Sequence, residues 1–392
     1  MMDYSNSSLA LIASVLRYFG VDCPYRTLPA ADRLFSDTPR NVVLMLFDGL
    51  GCNLLEKHLP EDAFLRQNLE PVLSAVFPPT PTAATTTLEC GVPPIAHGWL
   101  GWNLRFDKKV CAEKWIVPAY PGMNGDLWQP DGAVINLFPN TFAYTEGQKA
   151  DKNRHIARSQ MPTQTVFDRI NAVGAARAEM ISPFNAYAAK TIPSLCAALE
   201  TLTQEEGRHY LYTYHNQPDH DIHDYGTDDA RIGVLVRQIN DAAAHLADIL
   251  PDTLLLITAD HGLTDTAWVP LAAHPELTSL LTCPPSVETR AMSLFVKDGC
   301  QTLFSERFNA AFGDIYTLYS HDEVLSGHLF GEGNAHPMTP SFIGDFLAVA
   351  KTDVSIDPAP DPDPDPFRAA HGGMTRAELE IPLIAYDTRR NR

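Results

Sequence analysis

The stretch Val42-Val43-Leu44-Met45-Leu46-Phe47-Asp48-Gly49 decides the fold. It begins with an unbroken apolar run that opens on two β-branched valines. A strand with one wet face would alternate apolar and polar residues, whereas a strand covered on both faces does not. The run therefore reads as a buried strand of a parallel sheet that stops abruptly at an acid and a glycine. Two further stretches share this design: Leu254–Thr258 runs into Asp260-His261-Gly262, and Tyr210–Tyr214 runs into a turn with Pro218-Asp219 and then His223. Phe346–Ala350 reads as another strand. Helices are expected over Thr163–Val173, Ala186–Thr201 and Asp228–Leu250. The last opens on Asp228-Asp229, which suits the positive end of a helix, and spaces Ile232, Leu235, Val236 and Ile239 at a helical period. Strands alternating with helices predict an α/β fold whose central sheet is mainly parallel, with helices on both faces.

Composition narrows the function. The chain has 392 residues, of which 45% are hydrophobic and 20% charged, values that exclude wholesale disorder. It carries 29 Lys and Arg against 48 Asp and Glu, a net charge of −19. Such a surface repels a phosphate polymer, so no nucleic-acid partner is expected. Small anionic substrates stay open, because bound cations reverse the field locally. No apolar run reaches the roughly 20 residues of a membrane span, and no membrane partner is expected. The stretch Leu9–Leu16 follows Ser5-Asn6-Ser7-Ser8 and precedes Arg17, which reads as an amphipathic helix rather than a leader. The 7 cysteines include no CxxC pair, which fits free thiols and a cytoplasmic location. Nothing in the sequence speaks to oligomeric state. One catalytic domain over 1–392 is expected, with lid or insert segments at 103–160 and 263–345, where strand patterning is weak. The alternating Asp and Pro of Asp357–Pro366 predict an extended surface loop.

The chemistry lies at the strand ends. In open α/β sheets ligands bind beyond the carboxyl ends of the strands. Three such ends supply Asp48, Asp219 with His223, and Asp260 with His261, and the patch Ala370-His371-Gly372-Gly373 adds a fourth segment. Each has an ordinary reading by itself: Asp-Gly is commonly a turn, a strand-end Asp commonly caps a helix, and an Asp/His pair four apart is commonly an exposed face. Jointly, Asp48, Asp219, His223, Asp260, His261 and His371 exceed the three or four ligands of one zinc ion. They suit two divalent ions with mixed oxygen and nitrogen donors, zinc being favoured by imidazole and manganese by carboxylate. Two ions about 4 Å apart clamp a phosphoryl group for in-line displacement.

The order of these motifs resembles the alkaline phosphatase superfamily, and within it the nucleotide pyrophosphatase/phosphodiesterase family. The matching stretches are 42–103, 209–227, 254–264 and 371–383, about a quarter of the chain. The resemblance implies one metal on Asp48, Asp260 and His261, and the other on Asp219, His223 and His371. It also implies a threonine or serine nucleophile at a helix start, in the segment Phe77-Pro78-Pro79-Thr80-Pro81-Thr82-Ala83-Ala84-Thr85-Thr86-Thr87, and a phosphothreonine intermediate. Counted back ten residues from Gly91, the family position is Pro81, which has no hydroxyl; Thr82 and Thr80 flank it. With proline in the first helical position, Thr80 is expected to cap the helix with its hydroxyl, leaving Thr82 as the preferred nucleophile. The family asparagine that binds phosphoryl oxygens falls at Trp102, with Asn103 adjacent. Trp99, Trp102, Trp115 and Trp128 are candidates either to stack on a base or to pack a lid. The expected function is two-metal hydrolysis of small phosphate esters, of phosphodiesterase or pyrophosphatase type. The alternatives are an inactive metal-binding relative and a phosphomonoesterase or phosphonate hydrolase. The Cys/Ser-x-Pro-x-Arg motif of sulfatases does not occur near residue 81.

Overall fold

The computed structural model describes residues 2–107, 120–121, 127–128, 132–145, 148–151, 154–359, 361 and 363–391. The strands that frame the site are β1 (Asn41–Phe47), β2 (Asn103–Asp107), β3 (Gly132–Asn136), β4 (Thr141–Phe142), β5 (Arg177–Ile181), β6 (His209–His215), β7 (Thr253–Thr258), β8 (Ser286–Val287), β9 (Ala291–Leu294), β10 (Tyr316–Ser320), β11 (Phe346–Ala350) and β12 (Leu383–Asp387). β1 is the middle of a five-stranded sheet ordered β12-β7-β1-β6-β5. It pairs in parallel with β6 and β7, and β5 is parallel to β6. Leu44 of β1 lies level with Tyr212 of β6 and Leu256 of β7, so the three carboxyl ends finish at one rim. β12 closes the sheet antiparallel to β7. Every residue of β1 and β7 is buried, as their unbroken apolar runs require. Full burial of each aliphatic side chain stabilises the sheet by about 1.5–3 kcal/mol, which makes the rim a rigid platform.

The expectation of a mainly parallel architecture is corrected by a second sheet. It has seven strands, ordered β10-β11-β9-β8-β2-β3-β4, and its pairings are antiparallel. The segments 103–160 and 263–345 build most of it, the first giving β2 to β4 and the second β8 to β10. Its strands hold two to five residues, too few for a periodic signal, and β8 has only two. Phe346–Ala350 is a strand as read, but it lies in this sheet, between β9 and β10. The α/β class stands, with one sheet supplying a rim and the other facing it with loops.

The helices begin where their chemistry permits. They are α1 (Ser8–Tyr18), α2 (Cys52–His58), α3 (Pro81–Cys90), α4 (Val166–Val173), α5 (Ile192–Leu202), α6 (Asp219–Tyr225), α7 (Ala230–Ile249) and α8 (Gln301–Phe312). α4 starts after Thr165, which forms a capping box with Asp168. α5 starts six residues later than expected, because Pro193 fits only a first turn and Thr191 caps it. α7 starts after Asp229, whose carboxylate accepts from the amide of Arg231. α7 packs on α2 and α5, and α1 packs on α3.

Candidate active site

Asp48 continues β1 past its last apolar residue. Its amide donates to the carbonyl of His215 at the end of β6, and its carbonyl accepts from the amide of Asp219 at the start of α6. The neighbouring Gly49 has φ +75°, and a Cβ there would come 2.8 Å from the Cβ of Asp219 and 2.7 Å from Leu263. Only glycine lets the two acidic segments approach this closely. The amides of Gly49 and His261 both donate to Oδ1 of Asp260, at 3.1 and 3.0 Å. Tyr214 Oη donates to Oδ2 of Asp48 at 2.5 Å. Each of these two carboxylates therefore has one oxygen engaged by the protein. The others, Oδ1 of Asp48 and Oδ2 of Asp260, are buried without a hydrogen-bond partner among the described residues.

The histidines follow the same logic. Nδ1 of His261 lies 3.1 Å from the carbonyl of Gly262, and Nδ1 of His223 lies 2.8 Å from the carbonyl of Ala369. A carbonyl only accepts, so Nδ1 carries a proton in both rings and Nε2 is the atom left to face the carboxylates. His261 Nε2 stands 3.4 Å from Asp48 Oδ1 and 3.5 Å from Asp260 Oδ2, and has no hydrogen-bond partner among the described residues. On α6 the spacing of four residues puts His223 Nε2 3.5 Å from Asp219 Oδ1, and His371 Nε2 lies 4.0 Å from that same oxygen. The rings of His261 and His371 are 4.2 Å apart between centroids. All six sequence-derived candidates thus meet at one rim. Donor atoms of Asp48, Asp260 and His261 form one group within 4.8 Å, and those of Asp219, His261 and His371 form another. His261 is within reach of both, while His223 joins the second group through Asp219.

Electrostatics make this arrangement costly without a cation. Burial pushes the Asp48 carboxyl well above its usual range, and the carboxylates of Asp260 and Asp219 add to the shift. Burial also raises Asp260, against the opposing pull of His261. Burial holds His371 well below the ordinary imidazole value, with His261 and His223 adding to it, so the ring is neutral. Neutral imidazoles and anionic oxygens are what a divalent ion takes. Two donors on one tetrahedral zinc, each about 2.1 Å from it, stand roughly 3.4 Å apart, close to the separations around His261. The residues present therefore fit two divalent ions.

The loop that carries His371 is fixed by a buried ion pair. Arg290, fully buried, donates through Nε to Glu378 Oε1 at 2.7 Å and through Nη2 to Oε2 at 2.9 Å. Glu378 Oε1 also accepts the amide of Gly373 at 2.7 Å. Every heteroatom of the guanidinium is engaged, which is the condition under which such a pair is tolerated in a core.

Thr80 and Thr82 are both buried at the start of α3. Thr80 is the N-cap residue with Pro81 after it, as expected, but its hydroxyl does not cap the helix. It donates instead to Oε1 of Glu288 at 2.7 Å, a carboxylate that follows a strand of the second sheet. The hydroxyl of Thr82 is buried without a partner among the described residues. The amide of Trp102 donates to the same Glu288 oxygen at 2.6 Å, and burial pushes that carboxyl up to about 7. The side-chain oxygen of Asn103, at the start of β2, is buried and unpartnered among the described residues. Trp99 is a core residue whose Nε1 donates to the carbonyl of Met161. Half-buried Trp102 packs edge-on against exposed Phe138 at 4.9 Å, and exposed Phe367 lies 4.5 Å from the His223 ring. Trp115 lies outside the described residues, as does the side chain of Trp128. Sequence reasoning missed Glu288 and Tyr214. Glu288 is a single acid beside a two-residue strand and carries no signal, whereas the aromatic run of β6 reads as core.

Residues 42–374 match the family model of type I phosphodiesterase / nucleotide pyrophosphatase. The chain belongs to this family. It is thereby a member of the alkaline phosphatase superfamily, a group of phosphodiesterase and pyrophosphatase hydrolases in this branch. Among solved structures, the family member is similar to murine ectonucleotide pyrophosphatase/phosphodiesterase 5, with TM-score 0.60 and 15% identity over 88% of this chain and 87% of that one. An inactive threonine-to-alanine form of the murine protein in complex with AMP gives TM-score 0.59 at 15% identity, with the same coverage. The human counterpart gives TM-score 0.59 at 16% identity, again over 88% and 87%. No curated protein matched the phosphodiesterase-family chain by sequence. Among its described residues, no helix is long and apolar enough to cross a membrane.

Proposed function

We propose that this chain hydrolyses small phosphodiesters or pyrophosphates of nucleotide type, using two divalent ions and a threonine nucleophile. The observation that carries this reading is the convergence of four chain segments whose buried carboxylate and imidazole atoms lack hydrogen-bond partners among the described residues. Asp48, Asp260 and His261 would hold one ion, and Asp219, His223 and His371 the other, with zinc favoured by the imidazole share. Ions held there would supply the charge that neutralises a transferring phosphoryl group and would acidify the attacking hydroxyl. The protein's own part is to hold that hydroxyl at the positive end of α3 and to exclude competing water. Thr80 is the better supported nucleophile, because its hydroxyl contacts Glu288 and because the side chain of Glu288 packs beside Gly372, next to His371. Thr82 is the second reading, on its buried and unpartnered hydroxyl. Asn103 and Trp102 would meet the phosphoryl oxygens or the leaving group, and the exposed rings of Phe138 and Phe367 suit a planar base. Support for a nucleotide comes from the murine relative, whose inactive threonine-to-alanine form is in complex with AMP. The whole chain would act as one catalytic unit, since Asp48 follows a strand of one sheet and Glu288 a strand of the other. Cys23, Cys52, Cys90, Cys196 and Cys300 carry free thiols, which suits a reducing, cytoplasmic setting.

Elemental analysis and turnover on p-nitrophenyl mono- and diesters test the reading together. About two zinc or manganese ions per chain with diester turnover is the expected result. Two ions with no turnover on any ester would make this an inactive relative, and preference for monoesters would make it a phosphomonoesterase. Fewer than about one ion per chain, unrestored by added metal, sinks the two-metal reading.

A further inference from the structure

We propose that Glu288 holds the Thr80 hydroxyl in its reactive orientation and takes up its proton, so that the nucleophile of this chain is Thr80 and its proton acceptor comes from the antiparallel sheet. The proposal rests on the metal-dependent esterase reading above and adds to it a residue that neither the motif order nor the strand ends indicate.

A single oxygen, Oε1 of Glu288, accepts both the Thr80 hydroxyl at 2.7 Å and the Trp102 amide at 2.6 Å. The amide fixes the carboxylate, and the carboxylate fixes the hydroxyl rotor, which otherwise turns freely. The backbone gives way to make this contact. Val287, just before Glu288, sits at φ +77°, a strained conformation for a β-branched residue and one that survives only where its surroundings impose it. Gly101, just before Trp102, approaches so closely that a Cβ would lie 2.7 Å from the backbone of Val287. Gly372, just after His371, leaves the space in which a Cβ would meet the Glu288 side chain at 3.1 Å. Two glycines and one strained residue thus bring the carboxylate between the threonine and the loop that carries His371. Thr82 has no such acceptor among the described residues.

The step balances without an added reactant. The O–H bond of Thr80 breaks and its proton passes to Glu288, while the Thr80 oxygen bonds to phosphorus. The phosphorus–oxygen bond to the leaving group breaks, and the departing oxygen keeps the electron pair and takes a proton from water. The hydroxide left behind then attacks phosphorus, the bond to Thr80 breaks, and the threonine oxygen recovers its proton from Glu288.

Glu288→Gln separates proton transfer from scaffolding. The glutamine oxygen can accept both hydrogen bonds, yet the amide cannot take the proton. We expect Glu288→Gln to keep its thermal midpoint, its metal content and its KM for bis(p-nitrophenyl) phosphate. In quenched single turnovers, phosphothreonine should form roughly 10²- to 10⁴-fold more slowly than in the wild type. Peptide mapping by mass spectrometry should place the wild-type adduct on Thr80. Glu288→Asp, which restores a carboxylate on a shorter arm, should recover part of the rate. An adduct formed at the wild-type rate in Glu288→Gln overturns the proposal while leaving the esterase reading intact, as does an adduct mapped to Thr82. Wild-type protein that binds metal and turns over diester with no adduct on any threonine overturns the covalent route and this proposal with it. Wild-type protein that neither binds metal nor turns over ester overturns the esterase reading and this proposal together.

Discussion

Asp260 shows how much one side chain settles. Its Oδ1 is engaged by two backbone amides, at 3.1 and 3.0 Å, and its Oδ2 points at His261 with no hydrogen-bond partner among the described residues. In Asp260→Asn the amide oxygen can keep both backbone bonds, so the rim keeps its shape. The other atom becomes an NH2 group, which cannot ligate a cation. Diester turnover should fall by about two orders of magnitude or more, and elemental analysis should show roughly one ion fewer per chain. The metal-free variant should melt no lower than the metal-free wild type, because one buried acid that repels Asp48 and Asp219 has been removed. Unchanged turnover with full metal content would exclude Asp260 as a ligand. Residues of this kind were legible in the sequence because a rigid apolar strand ends on them. Glu288 was not, since it follows a strand of two residues and its partners Thr80 and Trp102 lie about 200 positions away.

Among the elements, the strands with unbroken apolar runs were read almost to the residue. β1, β6 and β7 extend the expected strands by a residue or two, and the register between them follows from burial on both faces. The antiparallel sheet was not legible, because strands as short as β4 and β8 take their conformation from neighbours rather than from their own sequence. The turns at the strand ends are legible through glycine, and they carry a prediction. At Gly49 a side chain meets both an unfavourable φ of +75° and the Asp219 Cβ at 2.8 Å, whereas Gly207, at φ +97°, has nothing within 4 Å. Gly207→Ala should cost only the backbone term, roughly 1–2 kcal/mol in denaturant unfolding. Gly49→Ala should cost more and should also weaken metal binding, since α6 would have to move to relieve the clash. Equal losses of stability with unchanged metal affinity would show that the close approach of β1 and α6 is not what glycine secures there.

At the scale of the whole molecule, the two sheets meet around acids held in conditions they disfavour, and this sets the pH response of stability. Glu89, on α3, is another acid that burial disfavours, and it lies apart from the six candidate ligands in sequence. Burial pushes its carboxyl up to about 7, against an opposing pull from Arg158. Its charge helps to raise the pKa values of Tyr210 and Tyr212 on β6, whose buried hydroxyls have no hydrogen-bond partner among the described residues. Between the unfolded value of about 4.5 and the folded value of about 7, the folded chain holds more protons at this site than the unfolded chain. Stability contributed by the neutral acid is therefore complete below pH about 4.5 and is lost as the pH rises through about 7. Glu89→Gln keeps a neutral side chain of the same size at every pH. The variant should stay within about 1 kcal/mol of the wild type at pH 5 and exceed it by roughly 2–3 kcal/mol at pH 8.5, read from urea unfolding at both values. Two metal-saturated proteins should show the same difference, because Glu89 is not among the candidate ligands. A gain of equal size at pH 5 and pH 8.5 would mean that the substitution acts by packing, and that Glu89 is ionised in the folded protein throughout.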